Sequence, residues 1–120
     1  VVTGHVDHQA AVDILFASDA FVQLSLFEGR SIALLEALCA RKAIVASDIA
    51  AQREVLTMAD GRLAGVVADP KDERAIAAAI SSLADNEELR GELAARAATL
   101  ARQIDPTRMG QDYVALLRAA

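Results

Sequence analysis

Short apolar runs alternate along the first half of the chain with stretches whose apolar residues recur at helical spacing. Val1-Val2 reads as the end of a β-strand, and Gly4 opens a turn. Asp7 can cap a helix over His8–Ala17, with Val12, Leu15 and Phe16 on one face. Ala20–Leu24 is a short apolar run suited to a buried parallel strand. Ser25–Arg30 follows as a loop, and Ser31–Ala40 as a helix that is apolar on nearly every side and hence expected to be buried. Ala43–Ala46 is a second buried strand. Ser47–Gln52 is a loop leading into a short helix near Arg53–Leu56, and Ala64–Ala68 is the last strand.

Beyond Ala68 the strand signal stops and helix signals take over. Asp69-Pro70 has the form of an N-cap followed by proline at the first helical position, with Asp72 and Glu73 in the first turn; that helix is expected to run to about Leu83. Asp85 and Glu88 have capping-box spacing and precede a stripe at Leu89, Leu93, Ala97 and Leu100. The charged residues from Asp85 to Arg102 read as the solvated face of that helix. Asp105-Pro106 repeats the start signal for a last helix, Pro106–Ala119, with Met109, Tyr113, Leu116 and Leu117 on one face. Apolar strands alternating with helices indicate an α/β fold with a parallel sheet, here closed by three helices.

Open parallel sheets bind ligands at the carboxyl ends of their strands. The loops expected there are Thr3–His8, Ser25–Arg30, Ser47–Gln52 and Asp69–Lys71. Glu28 lies in one of them, and Glu36 lies within the apolar helix that follows. A carboxylate in a buried helix is costly unless something pairs with it, so a protein partner or a ligand is required. Gly29 lets backbone approach a ligand closely. The N–H groups of Arg30 and Ser31, with the helix dipole, favour an anion. Carboxylates accept bidentate bonds from paired hydroxyls, so a phosphate at the helix start, a ribose at Glu36 and a polyol at Glu28 are mutually consistent. The plainer alternatives are an ion pair of Glu36 with Arg41, Lys42 or Arg53, and a helix-capping role for Glu28. His5 and His8 flank Asp7 with H-x-x-H spacing, which offers either a partial metal site or a turn with a capping aspartate. Nucleophile-elbow, Walker, C-x-x-C and G-x-G-x-x-G patterns are absent.

Composition narrows the partners. The formal charge is −5 and no basic tract occurs, which gives nucleic acid no electrostatic foothold. Hydrophobic residues are 54% of 120, enough for the core of one small domain or part of a larger one. The single cysteine, Cys39, cannot form a disulfide within the chain; a buried structural thiol in a reducing compartment is the simplest reading. No apolar run approaches the ~20 residues of a membrane span. The opening Val1-Val2-Thr3-Gly4 reads as a strand entered part-way, so the chain is expected to be a piece of a longer one.

Several segments together carry a family resemblance: Ser18–Gly29 (SDAFVQLSLFEG), Leu34–Leu38 (LLEAL), Ile44–Asp48 (IVASD), Arg53-Glu54-Val55 and Gly65–Asp72 (GVVADPKD). In that order the chain resembles the C-terminal, donor-binding domain of GT-B glycosyltransferases, specifically glycosyltransferase family 4, the group 1 glycosyl transferases. The resemblance spans nearly the whole chain. It implies a Rossmann-like domain incomplete on its N-terminal side and a retaining transfer of a sugar from a UDP-, GDP- or ADP-sugar to an acceptor, with no metal or other cofactor. By resemblance, Glu28 holds hydroxyls of the donor sugar as the catalytic-site acid. The backbone of Gly29, Arg30 and Ser31 lies by the sugar and diphosphate, Glu36 binds the ribose, and Val6 and Asp7 lie against the base.

Some positions depart from the family pattern. Arg30 stands where an apolar residue is common, Ala33 and Ala43 replace frequent prolines, and Ala50-Ala51 replaces a frequent Gly-Gly. The resemblance also implies partners that this sequence does not contain. These are an N-terminal Rossmann-like domain, carrying the basic diphosphate clamp and a catalytic histidine, and an acceptor that is a glycan, a lipid or a small molecule. It implies a cytoplasmic protein, peripheral at most to the inner face of a membrane. A non-catalytic nucleotide-sugar-binding or regulatory module that keeps the fold, and a GT-B sugar phosphorylase that shares it and takes phosphate as acceptor, are the competing readings.

Overall fold

A computed structural model describes residues 1–104 and, beyond them, Gln111, Ala115 and Arg118. The last expected helix, Pro106–Ala119, with its apolar face at Met109, Tyr113, Leu116 and Leu117, therefore lies outside the described residues. Among those described, the order is α1 (His8–Ala17), β1 (Ala20–Gln23), α2 (Ile32–Cys39), β2 (Ala43–Ser47), α3 (Ala50–Leu56), β3 (Val66–Ala68), α4 (Glu73–Ala84) and α5 (Glu87–Ala101). The strands form one parallel sheet in the order β1-β2-β3, with Ala20 opposite Ala43, Gln23 opposite Ala46, and Ser47 opposite Ala68.

β2 is central and buried at every residue, which is why its sequence, AIVAS, carries no charge. Its alternate side chains divide the core. Ile44 and Ala46 face a cluster with Leu34, Ala37, Leu38, Leu56, Ala97 and Leu100. Ala43 and Val45 face a second cluster with Ala68, Ala79, Leu83 and Leu93. Helices thus cover both sides, and α5 reaches both clusters through the stripe that its spacing predicts, Leu93 to one and Ala97 and Leu100 to the other.

Five expectations about local structure are corrected. Val1 and Val2 are fully exposed and belong to no strand. β1 is half-buried because among the described residues only β2 pairs with it, and Val22 is exposed. β3 starts at Val66 rather than Ala64. Gly65 there lies so close to Ile44 that a Cβ would sit 3.0 Å from the Ile44 carbonyl oxygen, which Ala64-Gly65 passes before the ladder forms. The N-cap of α4 is Asp72, whose carboxylate accepts from Arg74 and Ala75 N–H, while Asp69 instead accepts from Lys71 N–H in the preceding turn. The N-cap of α5 is Asn86, one residue past Asp85, accepting from Leu89 N–H at 2.9 Å. At α5 the backbone decides between neighbours: Asp85 is in the right-handed helical region as the end of α4, whereas Asn86 is extended.

The charged face of α5 is not wholly solvated either. Arg90 Nη1 donates to the Leu83 and Ala84 carbonyls at the end of α4, at 2.5 and 3.0 Å, where a cation also meets the negative end of the helix dipole. Arg96 Nη1 donates to the Leu63 carbonyl at 2.9 Å.

Candidate functional site

The carboxyl ends of β1 and β2 are joined by a seam of polar side chains. Gln23, the last residue of β1, donates from Nε2 to Glu28 Oε1 at 3.0 Å, and Ser25 Oγ donates to the same oxygen at 3.0 Å. Ser31 caps α2: its Oγ accepts from Leu34 N–H at 3.3 Å and donates to Gln23 Oε1 at 2.9 Å. Ser25 N–H donates to Ser47 Oγ at 2.7 Å, and Ser47 N–H to Gln52 Oε1 at 2.5 Å. Ser47 and Gln52 are fully buried, and Gln52 Nε2 has no partner among the described residues. The β1–α2 loop, which carries Glu28, is thereby tied to both strands.

Glu28 is half-buried and does not cap α2, since Ser31 fills that role. Ser25 and Glu28 bond to each other directly without starting a helix. Gly29 and Arg30 are exposed in the loop. A Cβ on Gly29 would meet no protein atom within 4 Å and its φ is not in the left-handed region, so the protein's own packing does not demand glycine there.

The premise that α2 is buried all round is corrected. Leu34, Ala37 and Leu38 are buried, whereas Ile32 is 72% exposed and Cys39 is also exposed. The high mean hydropathy of IALLEALC hides a one-sided helix. Cys39 is consequently a surface thiol and not the buried one its neighbours imply. Glu36 is 39% exposed at its side chain, so no buried charge has to be neutralised.

None of the proposed ion-pair partners of Glu36 takes it. Lys42 Nζ donates to the Phe16 and Ser18 carbonyls at 2.9 and 2.7 Å, closing the end of α1. Arg53 makes a two-point pair with Asp48, Nη2 to Oδ2 at 2.9 Å. That guanidinium holds the Asp48 carboxyl below the usual aspartate range, chiefly by hydrogen bonding, and the carboxylate in turn raises Arg53. Instead His8 of α1 comes within 3.9 Å of Glu36, Nε2 to Oε1.

That approach brings the start of α1 beside α2. Asp7 caps α1 by accepting from Ala10 N–H at 2.8 Å, after a turn in which Gly4 has φ +69°, and Val6 is half-buried. Among the described residues no three His, Cys, Asp or Glu side chains gather to hold a metal. On the other flank of Gly29 and Arg30 opens a cleft of about 430 Å³, lined also by Leu35, Leu38, Ala51, Glu54 and Val55; neither Glu28 nor Glu36 lines it. Ala50 and Ala51 form the first turn of α3, which shortens the expected Ser47–Gln52 loop.

Gln23, Ser47 and Gln52 are the residues that sequence reasoning missed. For Gln23 and Ser47 the signal was a polar side chain ending an apolar strand, where side chains turn toward the loops; Gln52, inside α3, carried none.

Comparison with known proteins bears on the family and the fold. A family model described as glycosyl transferases group 1 matches residues 1–100. Among solved structures, a sucrose-phosphate synthase from Thermosynechococcus elongatus matches with a TM-score of 0.80 at 20% identity. That match covers 100% of this chain and 31% of the synthase chain, so this chain spans about a third of that protein's length. At that identity the likeness concerns the fold, an α/β parallel sheet flanked by helices as expected from the sequence. No curated protein matches. Among the described residues no helix is long and apolar enough to cross a membrane.

Proposed function

The chain belongs to the glycosyl transferases group 1 family, and we propose that it supplies the donor-binding part of a retaining GT-B glycosyltransferase. The donor in this reading is a UDP-, GDP- or ADP-sugar. Glu28 accepts hydrogen bonds from hydroxyls of the sugar. Glu36 grips the ribose through its two hydroxyls, and Val6 and Asp7 border the base. The diphosphate is placed at the backbone N–H groups of Gly29, Arg30 and Ser31, where the dipole of α2 favours negative charge. An N-terminal Rossmann-like domain supplies the basic clamp, the catalytic histidine and the acceptor site, and no metal is assigned.

The supporting observation is the approach of the start of α1 to α2, His8 to Glu36. Glu28 is anchored in the loop after β1, and Glu36 projects half-exposed from α2 beside the N-terminal turn of α1. A family likeness of sequence would not by itself bring the Val6-Asp7 turn to Glu36. The open setting of Gly29, which the protein's packing leaves unexplained, fits close approach by a ligand.

In the reaction proposed, the bond from the sugar C1 to the diphosphate oxygen breaks, and the acceptor oxygen bonds C1 from the same face. The acceptor proton passes to the departing diphosphate. The part of this chain is to orient the donor and stabilise the developing negative charge. The test is turnover by the full protein with UDP-glucose, GDP-mannose and ADP-glucose, the product anomer being read by proton NMR. Retention of the donor's anomeric configuration is expected, and inversion overturns the mechanism.

A further inference from the structure

We propose that Gln23 is a positioning residue of the donor site, acting through Glu28; this deepens the reading of Glu28 as the ligand of the donor sugar and rests on it. Gln23 ends β1 in parallel register with Ala46, so its backbone is fixed by the sheet. Its amide lies between two groups of opposite demand. Glu28 Oε1, as a carboxylate oxygen, only accepts, and it receives Gln23 Nε2 at 3.0 Å. Ser31 Oγ, which accepts from Leu34 N–H, donates its proton to Gln23 Oε1 at 2.9 Å.

The carboxylate sets the orientation of the amide: turned over, Gln23 would present Oε1 to Glu28 Oε1, two acceptors with no proton between them. A leucine or methionine would satisfy the strand equally well, and a glutamate could not donate to Glu28. The side chain of Glu28 stands on a loop and has rotamer freedom to lose when it meets a ligand. Gln23, with Ser25 Oγ on the same oxygen, removes that freedom beforehand, which favours binding by preorganisation. The consequence is greatest for the sugar: a bare nucleoside diphosphate does not reach Glu28, and Gln23 bonds the Ser31 hydroxyl rather than the backbone N–H groups placed at the diphosphate.

The test is a double-mutant cycle in the full protein, with calorimetry of UDP-glucose against UDP, GDP-mannose against GDP, and ADP-glucose against ADP, using the pair that binds. Gln23→Met is expected to weaken the sugar nucleotide about tenfold, the scale of one lost bond to a charge, and the bare diphosphate less than about twofold. Gln23→Glu, of equal length but unable to donate, is expected to do no better, and it serves as the second variant if Gln23→Met melts early. On a Glu28→Ala background Gln23→Met should change affinity less than about twofold, because residues that act through one another are not additive. If none of the ligands binds the parent, or Glu28→Ala leaves the sugar-dependent part of the affinity intact, the donor reading falls and this inference with it. If Glu28→Ala removes that part but both Gln23 variants keep it, weaken sugar nucleotide and diphosphate alike, or add in full to Glu28→Ala, the inference alone is overturned.

Discussion

His8 Nε2 stands 3.9 Å from Glu36 Oε1, although 28 positions separate the two residues. The distance is too long for a hydrogen bond and the histidine is 77% exposed at its side chain, so the contact adds little stability. Its significance is placement, since it sets the α1 cap, Asp7, and the preceding Val6 next to the second turn of α2. Under the proposed function, Glu36→Ala is expected to weaken nucleoside-diphosphate binding by about tenfold or more, the scale of hydrogen bonds to a charge. It should also abolish any preference for the ribonucleotide over its 2′-deoxy counterpart. Calorimetry with both nucleotides checks this, and an unchanged preference would remove the ribose role. His8→Ala should leave affinity within about twofold.

Two glycines separate packing from ligand demands. Gly65 is buried, and a Cβ there would lie 3.0 Å from the Ile44 carbonyl oxygen and 3.3 Å from Leu56 Cδ1, both in the core. Gly65→Ala should therefore cost about 1–3 kcal/mol, the usual penalty of overpacking. Gly29→Ala meets only open space, so its stability should stay within about 0.5 kcal/mol of the parent, while donor binding weakens. Urea titrations of both variants, beside donor calorimetry, give the contrast; equal stabilities would mean that the Ile44–Gly65 approach relaxes freely.

The elements were largely legible in the sequence because helical and strand periodicities are set by burial. The His8–Ala17 helix and its Asp7 cap, the AIVAS strand and the Leu93–Ala97–Leu100 stripe all follow from local pattern. Misplacement came where two residues competed for one role: Asp69 is taken up by the turn before α4 and leaves the cap to Asp72, and Asp85 is still helical where Asn86 is extended, neither of which spacing reveals. It also came where mean hydropathy stood in for sidedness: Cys39 and Ile32 lie on the exposed side of α2 despite apolar neighbours. At the site, Glu28 and Glu36 were visible as acids in apolar surroundings. The residues that hold Glu28 were not, since the bonds from Gln23 and the Ser25–Ser47 tie depend on the register of β1 against β2.

Acid should weaken the fold through two surface pairs. Asp48 is held below the usual aspartate range first by hydrogen bonding from Arg53, and Asp60 first by hydrogen bonding from Arg62. A carboxyl depressed in the folded state resists protons that the unfolded chain accepts. The stability it contributes is complete above the unfolded aspartate value and is lost as pH falls through that value toward the folded one. Both residues are exposed, so the effect is small and fades with salt. Thermal melts at low ionic strength should fall below about pH 4, and less steeply for the Asp48→Asn/Asp60→Asn double variant. Parallel melting curves for variant and parent would count against these pairs as acid-sensitive contacts.

The turn that ends α2 carries a removable strain. Arg41 N–H donates to the Leu38 carbonyl and Lys42 N–H to the Ala37 carbonyl, both at 3.0 Å, which is the Schellman pattern. That pattern places its residue in the left-handed region, and Arg41 has φ +55° where glycine is usual. For a residue with a Cβ this conformation costs roughly 1–2 kcal/mol. Glycine avoids that cost but loses more freedom on folding, which offsets part of the gain. Arg41→Gly is therefore expected to stabilise the protein by about 0.5–1 kcal/mol, whereas Arg41→Val, with a β-branched side chain at the same φ, should destabilise it. Because Lys42 itself closes α1 through the Phe16 and Ser18 carbonyls, the glycine variant should leave the approach of α1 to α2 unaltered. Chemical denaturation of the two variants decides the matter: a glycine variant less stable than the parent would show that the Arg41 side chain contributes more than its backbone strain removes.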